Sequence, residues 1–167
     1  LKKNMQINLN ELYDKEANFV KNFNYKKYKN GCSIVTTCYD KEIPSMWVLL
    51  TELKRLGTSI PIEIFYRDNE LTPYQIYLLE SISPSISVKK IIGNPKNFVS
   101  KYGHSHGWSC KIYALLESDY EQNLWIDADN TPINDPSFLF NDAGYISKGN
   151  LFWRDMLSPF SRSICKQ

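Results

Sequence analysis

The amino-acid sequence predicts an α/β fold in which a mostly parallel sheet carries helices on both faces. Three observations lead there. Apolar runs of strand length alternate repeatedly with stretches of helical spacing, the pattern of strand–helix–strand units. The first run, Cys32-Ser33-Ile34-Val35-Thr36-Thr37-Cys38, is β-branched and mostly apolar instead of alternating, as expected of a strand covered on both faces. Finally, 167 residues with 43% apolar content suffice for one packed core, argue against wholesale disorder, and would leave two full domains undersized.

Residues 1 to 30 read as a lead-in to that domain, which occupies 31 to 167. The lead-in is polar and rich in Asn and Lys, with apolar positions at Leu9, Leu12, Phe19, Val20 and Phe23. That pattern predicts an amphipathic helix and then a solvated Lys/Tyr segment. After the first strand, Pro44 precedes Met46, Trp47, Leu49, Leu50, Leu53 and Leu56 at helical spacing, and Gly57 supplies a stop. Pro61 to Tyr66 reads as a second strand, Thr72-Pro73 opens a second helix carrying Ile76, Leu78 and Leu79, and Val88 to Ile92 forms a short third strand. A loop with glycines at 103 and 107 leads into a helix from Trp108 to Ser118, whose apolar stripe is read as Trp108, Ile112 and Leu115 with Leu116 alongside. Asn123 to Ile126 is the fourth strand, and it ends in Asp127-Ala128-Asp129.

Composition narrows the function. A net charge of +2 gives no nucleic-acid footprint. No apolar run approaches the ~18 residues of a membrane span, and the first residues lack the apolar core of a signal peptide. A leucine at position 1 is expected of a fragment or processed chain, with any membrane anchor upstream. Cys32, Cys38, Cys110 and Cys165 show no zinc-like spacing. They are expected to be buried and reduced, with a disulfide as the alternative.

Ligands of parallel α/β sheets bind beyond the carboxyl ends of the strands. This rule points to Thr36 to Asp40, Tyr66 to Asp68, and Asp127 to Asn130. Asp127 and Asp129 are two apart after an apolar strand, so an extended backbone would aim both carboxylates the same way. Adjacent like charges repel unless a cation or protons compensate. Hard oxygen ligands suit Mg²⁺ or Mn²⁺ held jointly with a substrate's phosphates. The alternative is plain turn chemistry before Pro132.

The run Asn123-Leu124-Trp125-Ile126-Asp127-Ala128-Asp129-Asn130-Thr131-Pro132, followed by Asp135-Pro136-Ser137-Phe138-Leu139-Phe140, resembles the Asp-x-Asp region of nucleotide-sugar glycosyltransferases of GT-A fold. Within that group it most resembles the fungal α-1,3-mannosyltransferase family. Residues 61–66, 107–116 and 149–155 resemble, in the same order, that family's second strand, the helix before the acidic motif and the strand after it. The likeness spans roughly residues 31 to 158.

The resemblance implies a GT-A-like domain, shortened at its C-terminus so that an acceptor-binding part is missing. It implies a metal-dependent hexosyltransferase that retains anomeric configuration. The enzyme would pass a sugar, mannose first among the candidates, from a nucleotide-sugar donor (GDP-mannose or a UDP-sugar) to a glycan or glycoprotein acceptor. Asp127 and Asp129 would hold Mn²⁺ or Mg²⁺ against the donor diphosphate. Thr36, Thr37 and Tyr39 stand where the first strand meets the nucleotide, although β-branched packing also explains the threonines. Lys111 occupies a donor-side position, with a snorkelling surface lysine as the alternative. Asp155 would accept from sugar hydroxyls, or pair with Arg154 at the surface. Relatives of this kind imply the Golgi lumen as the compartment.

Other residues read more plainly. His104 and His106 are expected to be loop histidines, because no further zinc ligands accompany them. Asp135 and Asp142 have the positions of turn or capping residues. No histidine follows Asp129 to serve as a downstream metal ligand, and no catalytic nucleophile can be named. Two rival functions remain open at this point. Asp127-Ala128-Asp129-Asn130-Thr131 also satisfies the DxDxT motif of haloacid-dehalogenase-like phosphatases, in which the first aspartate attacks phosphorus. A catalytically inactive donor-binding fragment is the other.

Overall fold

The computed structural model describes residues 28–92 and 106–152. Strand β1 (Lys29–Thr37) leads through a 3-10 turn (Asp40–Glu42) into helix α1 (Ile43–Arg55). Strand β2 (Ile62–Tyr66), helix α2 (Pro73–Glu80) and strand β3 (Ile86–Lys90) follow. Helix α3 (His106–Glu117), strand β4 (Tyr120–Trp125), a 3-10 helix (Pro136–Asn141) and helix α4 (Ala143–Lys148) complete the described elements. The expected lead-in helix over residues 1–27 lies outside the described residues.

The four strands form one parallel sheet in the order β3-β2-β1-β4. The chain therefore builds outward from β1 to β3 and then returns across the sheet to place β4 on the other side of β1. Such a reversal leaves a crevice beyond the carboxyl ends of the strands it separates, here β1 and β4. β1 starts three residues before the predicted Cys32, because Gly31, at φ +118°, permits the irregularity between Lys29 and Cys32 in its pairing with β4.

Both faces of the sheet are covered, as the near-continuous apolar pattern of β1 predicts. Ile34 packs with Met46, Leu49, Leu50 and Leu53 of α1 and with Leu79 of α2 on one face. Val35, the next residue, packs with Phe65 and with Cys110, Tyr113 and Ala114 of α3 on the other. Each of the four α1 side chains is wholly buried, which contributes about 1.5–3 kcal/mol apiece. Trp47, read as part of the same stripe, is 39% exposed and stays at its margin. The stripe predicted on α3 holds in part. Cys110, Tyr113 and Ala114 are buried at i, i+3, i+4 spacing and Leu115 packs beside them as expected, while Ile112 is 47% exposed; Trp108 lies outside the residues whose burial is described.

Local stops and starts follow the sequence. Gly57 takes φ +78° just after α1, a conformation that costs any side-chain-bearing residue. Thr72 caps α2, and its hydroxyl accepts from the Gln75 N–H at 3.3 Å. Asp135 and Asp142 are caps, as expected: Asp135 accepts from Ser137 N at 3.2 Å, and Asp142 from Gly144 N at 2.7 Å.

A buried polar cluster ties the strands together. Glu63 of β2, 1% exposed, accepts from Ser33 of β1 at 3.2 Å, from the Asp119 N–H at 3.1 Å and from the Ser118 hydroxyl. It also pairs with Lys89 of β3. The one Ser33 hydroxyl hydrogen is shared with Asn123 Oδ1 of β4, 2.9 Å away, so every strand contributes one side chain to a single charged network.

Candidate functional site

The carboxyl ends of the strands hold the candidate residues. β4 finishes at Trp125, and the chain then turns back sharply, with Asn130 N donating to Asp127 O at 3.0 Å. The acidic pair therefore sits on a closed turn, not on the extended backbone assumed from the strand pattern. Ile126 and Ala128 are buried in the α1-side core, which pins the turn, while Asp127 is half-buried and Asp129 exposed.

Asp127 is tightly held. Lys111 of α3 forms an ion pair with its Oδ1, and the Trp125 indole N–H donates to the same oxygen at 3.0 Å. The Lys111 ammonium also lies 5.2 Å from the centroid of the Trp125 ring. Burial raises the Asp127 carboxyl, but the hydrogen bonds from Lys111 and Trp125 and the Lys111 charge together hold it below its ordinary value. Lys111 thus has a defined partner while its side chain stays 41% exposed. Asp129 makes no side-chain hydrogen bond or ion pair among the described residues.

Beside this turn lies an open cavity of about 360 Å³. Thr37, Cys38 and Tyr39 line it from the end of β1, and Phe65, Tyr66 and Arg67 from the end of β2. Glu42, Glu70 and Cys110 complete much of the remaining wall. Tyr39 is 40% exposed, and its backbone N–H is held by the Glu42 carboxylate at 3.3 Å. Arg67 is fixed by Glu70 through Nε at 3.1 Å and through its own backbone N–H to the Glu70 carboxylate at 3.2 Å. The hydrogen bond to Glu70 raises the Arg67 guanidinium further above neutrality.

Negative charge gathers at the mouth of this cavity. Burial is the main cause raising the Glu42 carboxyl, opposed by its hydrogen bond from Tyr39 and reinforced by the charges of Asp129, Glu70 and Asp127. Burial, with Glu42, Glu70 and Asp40 nearby, pushes the Cys38 thiol up to about 12. Cys38 is therefore a protonated, buried free thiol at neutral pH. Cys32 is also a free thiol, and Cys165 lies outside the described residues.

The predicted residues divide into three groups. Thr37, Tyr39, Lys111, Asp127 and Asp129 lie at the strand ends around the cavity and the acidic turn. Thr36 is fully buried and points to the sheet face opposite Thr37; its hydroxyl has no hydrogen-bond partner among the described residues. Asp155 and His104 fall outside the described residues, and His106 begins α3. Sequence reasoning missed Glu42, Glu70 and the role of Trp125. Arg67 lies within the strand-end segment singled out beforehand, and Glu42 follows two residues after another. Nothing in the local pattern marked Glu70. Among the described residues, no group of three or more His, Cys, Asp or Glu side chains forms a metal-holding cluster, and no helix is long and apolar enough to cross a membrane.

Comparison with known proteins bears on the same region. Residues 31–165 match the family model described as "Mannosyltransferase putative". Alpha-1,2-mannosyltransferase MNN24 of Candida albicans is 30% identical over 142 residues, covering 80% of this chain and 19% of its own length. Alpha-1,2-mannosyltransferase MNN2 of Saccharomyces cerevisiae is 30% identical over 128 residues, covering 75% and 21%. A Candida albicans protein named "Putative alpha-1,3-mannosyltransferase MNN14" is 28% identical over 148 residues, covering 78% and 20%. The chain thus spans about a fifth of the length of these relatives.

Proposed function

The chain belongs to this mannosyltransferase family, and on that premise we propose that it forms the donor-binding part of a metal-assisted glycosyltransferase. The donor is a nucleotide-sugar, with GDP-mannose first and UDP-sugars second, and the acceptor is a glycan or glycoprotein. One observation carries the reading. The family match runs through an acidic turn at the strand-order reversal, with Lys111 on Asp127 and a cavity alongside.

The residues present fit a divalent cation. Both hydrogen bonds to Asp127 fall on Oδ1, leaving Oδ2 for a ligand, and the Asp129 carboxylate is exposed without a partner among the described residues. Two carboxylate oxygens completed by substrate phosphates are a common setting for Mg²⁺ or Mn²⁺. Bound there, the ion would neutralise charge building on the departing diphosphate.

The chain's own side chains account for binding and orientation. Tyr39 and Thr37 offer a ring and a hydroxyl to the nucleoside, and Glu42 fixes the backbone of Tyr39. Lys111 holds Asp127 in place and supplies a positive charge within reach of a phosphate. In the transfer, the acceptor oxygen forms a bond to the sugar's anomeric carbon as the bond from that carbon to the diphosphate oxygen breaks. The nucleoside diphosphate leaves with the electron pair, and the acceptor's proton passes to solvent. Asp155 would contact the sugar, and the setting would be the Golgi lumen, as the resemblance implies.

Calorimetry with GDP-mannose and UDP-sugars, with and without Mn²⁺, tests the reading. Donor binding that needs Mn²⁺ and is lost in Asp127→Asn and Asp129→Asn is the expected outcome. An aspartyl-phosphate trapped on Asp127 would instead establish the phosphatase reading, which the mannosyltransferase relatives named above do not favour.

A further inference from the structure

Helix α3 carries Lys111 near its start, and its other end runs into the buried polar cluster. Between the two, Cys110, Tyr113 and Ala114 rest on Val35 and Phe65. Apolar packing of this kind is strong but has no direction. It sets the spacing of helix and sheet more firmly than the position of the helix along its own axis.

The polar end supplies the direction. Ser118 and Asp119 follow directly after α3. The Asp119 N–H donates to the Glu63 carboxylate at 3.1 Å, while the Ser118 hydroxyl meets Glu63 Oε2 and lies 2.7 Å from Asn123 Oδ1. Glu63 is 1% exposed and Ser118 fully buried, so bulk water does not compete for these bonds. A carboxylate beside the negative end of a helix is unfavourable in itself, and Lys89, paired with both Glu63 and Asp119, offsets the charge. Two oxygens that only accept can seat a backbone N–H and a neighbouring hydroxyl together, which no apolar side chain does.

Lys111 and Ser118 are seven residues apart, about 10 Å along the helix axis. A slip of one residue would carry the Lys111 backbone by about 1.5 Å, comparable to the whole tolerance of a hydrogen bond. It would change the contacts of the Lys111 ammonium with Asp127 Oδ1 and the Trp125 ring. We propose that Glu63 is a positioning residue: by seating the carboxyl end of α3 it sets where Lys111 stands, and through Lys111 it holds the Asp127 turn in the geometry used for donor binding. The last step rests on the transferase reading; the seating of Lys111 does not.

The test follows the Trp125 indole N–H by NMR in the metal-free full chain (assigned with Trp125→Phe), and GDP-mannose binding with Mn²⁺ by calorimetry. Glu63→Gln keeps the shape but presents an N–H where an acceptor is needed. Ser118→Ala, milder for the fold, removes a hydroxyl from the same contact. Each should shift the Trp125 signal and weaken GDP-mannose binding on the order of 10-fold. Leu79→Ala, a core truncation on the opposite face of the sheet, should do neither. Added to Lys111→Met, Glu63→Gln should change neither readout further, because its effect runs through Lys111. A Trp125 signal unmoved in the folded Glu63 and Ser118 variants, or moved as far by Leu79→Ala, overturns the positioning role. Full additivity with Lys111→Met overturns it too, as does unchanged GDP-mannose binding in variants whose Trp125 signal has moved. Wild type that binds no GDP-mannose, with the Trp125 signal still responding, overturns the donor reading alone and leaves the seating of Lys111 standing.

Discussion

Lys111 and Asp127, 16 residues apart in sequence, form an ion pair that joins helix α3 to the turn after β4. The pair brings together the two predicted residues with the clearest chemical roles, and Trp125 is the third member of the contact. Each partner is less than half exposed, so the pair is only partly screened by solvent.

The pair makes the fold sensitive to acid in a defined direction. The folded Asp127 carboxyl titrates below its ordinary value, so its ionised form contributes stability that is complete above the usual carboxylate range near ~4 and fades as pH falls through the lower folded value. Lys111→Met should therefore lower stability at neutral pH by about 1 kcal/mol or less, as befits a half-exposed pair. Thermal melts as a function of pH should show the gap between wild type and variant closing on acidification.

Asp127→Asn and Asp129→Asn should keep the fold and lose metal-dependent donor binding by on the order of 100-fold, about 2.7 kcal/mol. Calorimetry with and without Mn²⁺ reads the loss, and circular dichroism checks the fold. Donor binding as tight in both variants as in wild type would remove the acidic turn from the site.

Glu63→Ala should cost about 1–3 kcal/mol, because it removes the buried acceptor of the Ser33 and Ser118 hydroxyls while Lys89 keeps its ion pair with Asp119 at 2.9 Å. Replacing both charged partners together, Glu63→Leu with Lys89→Met, should recover part of that loss. Urea denaturation of the single and double variants measures both effects.

Cys38 should resist alkylation in the folded protein at pH 8, since its thiol is buried and pushed up to about 12. Peptide mapping after iodoacetamide should find Cys38 modified only once the protein is unfolded, and rapid modification in the native state would contradict its placement.

Leu50→Ala should destabilise the domain by about 2–5 kcal/mol through lost burial and the cavity left on the α1 face. The same denaturation assay reads it, and Trp47→Ala at the margin of that face should cost less.

What the sequence by itself determined is the parallel α/β layout and the capping aspartates, and it singled out the strand ends and Asp127 as candidates for a site. These follow from local physics: Ile34 and Val35 are adjacent apolar residues because each must cover a different face, and Asp135 and Asp142 cap because short carboxylates reach nearby backbone N–H groups. Tertiary structure alone decided that Lys111 meets Asp127, that Glu42 and Glu70 help to wall the same cavity as Tyr39, and that Glu63 is buried at the centre of a charged network. It also turned the Asp127–Asn130 backbone back on itself and left Ile112 of α3 exposed while burying Cys110, Tyr113 and Ala114. These outcomes depend on strand order and helix rotation, which bring together residues far apart in the chain, and no local pattern of side chains encodes a distance across the sheet.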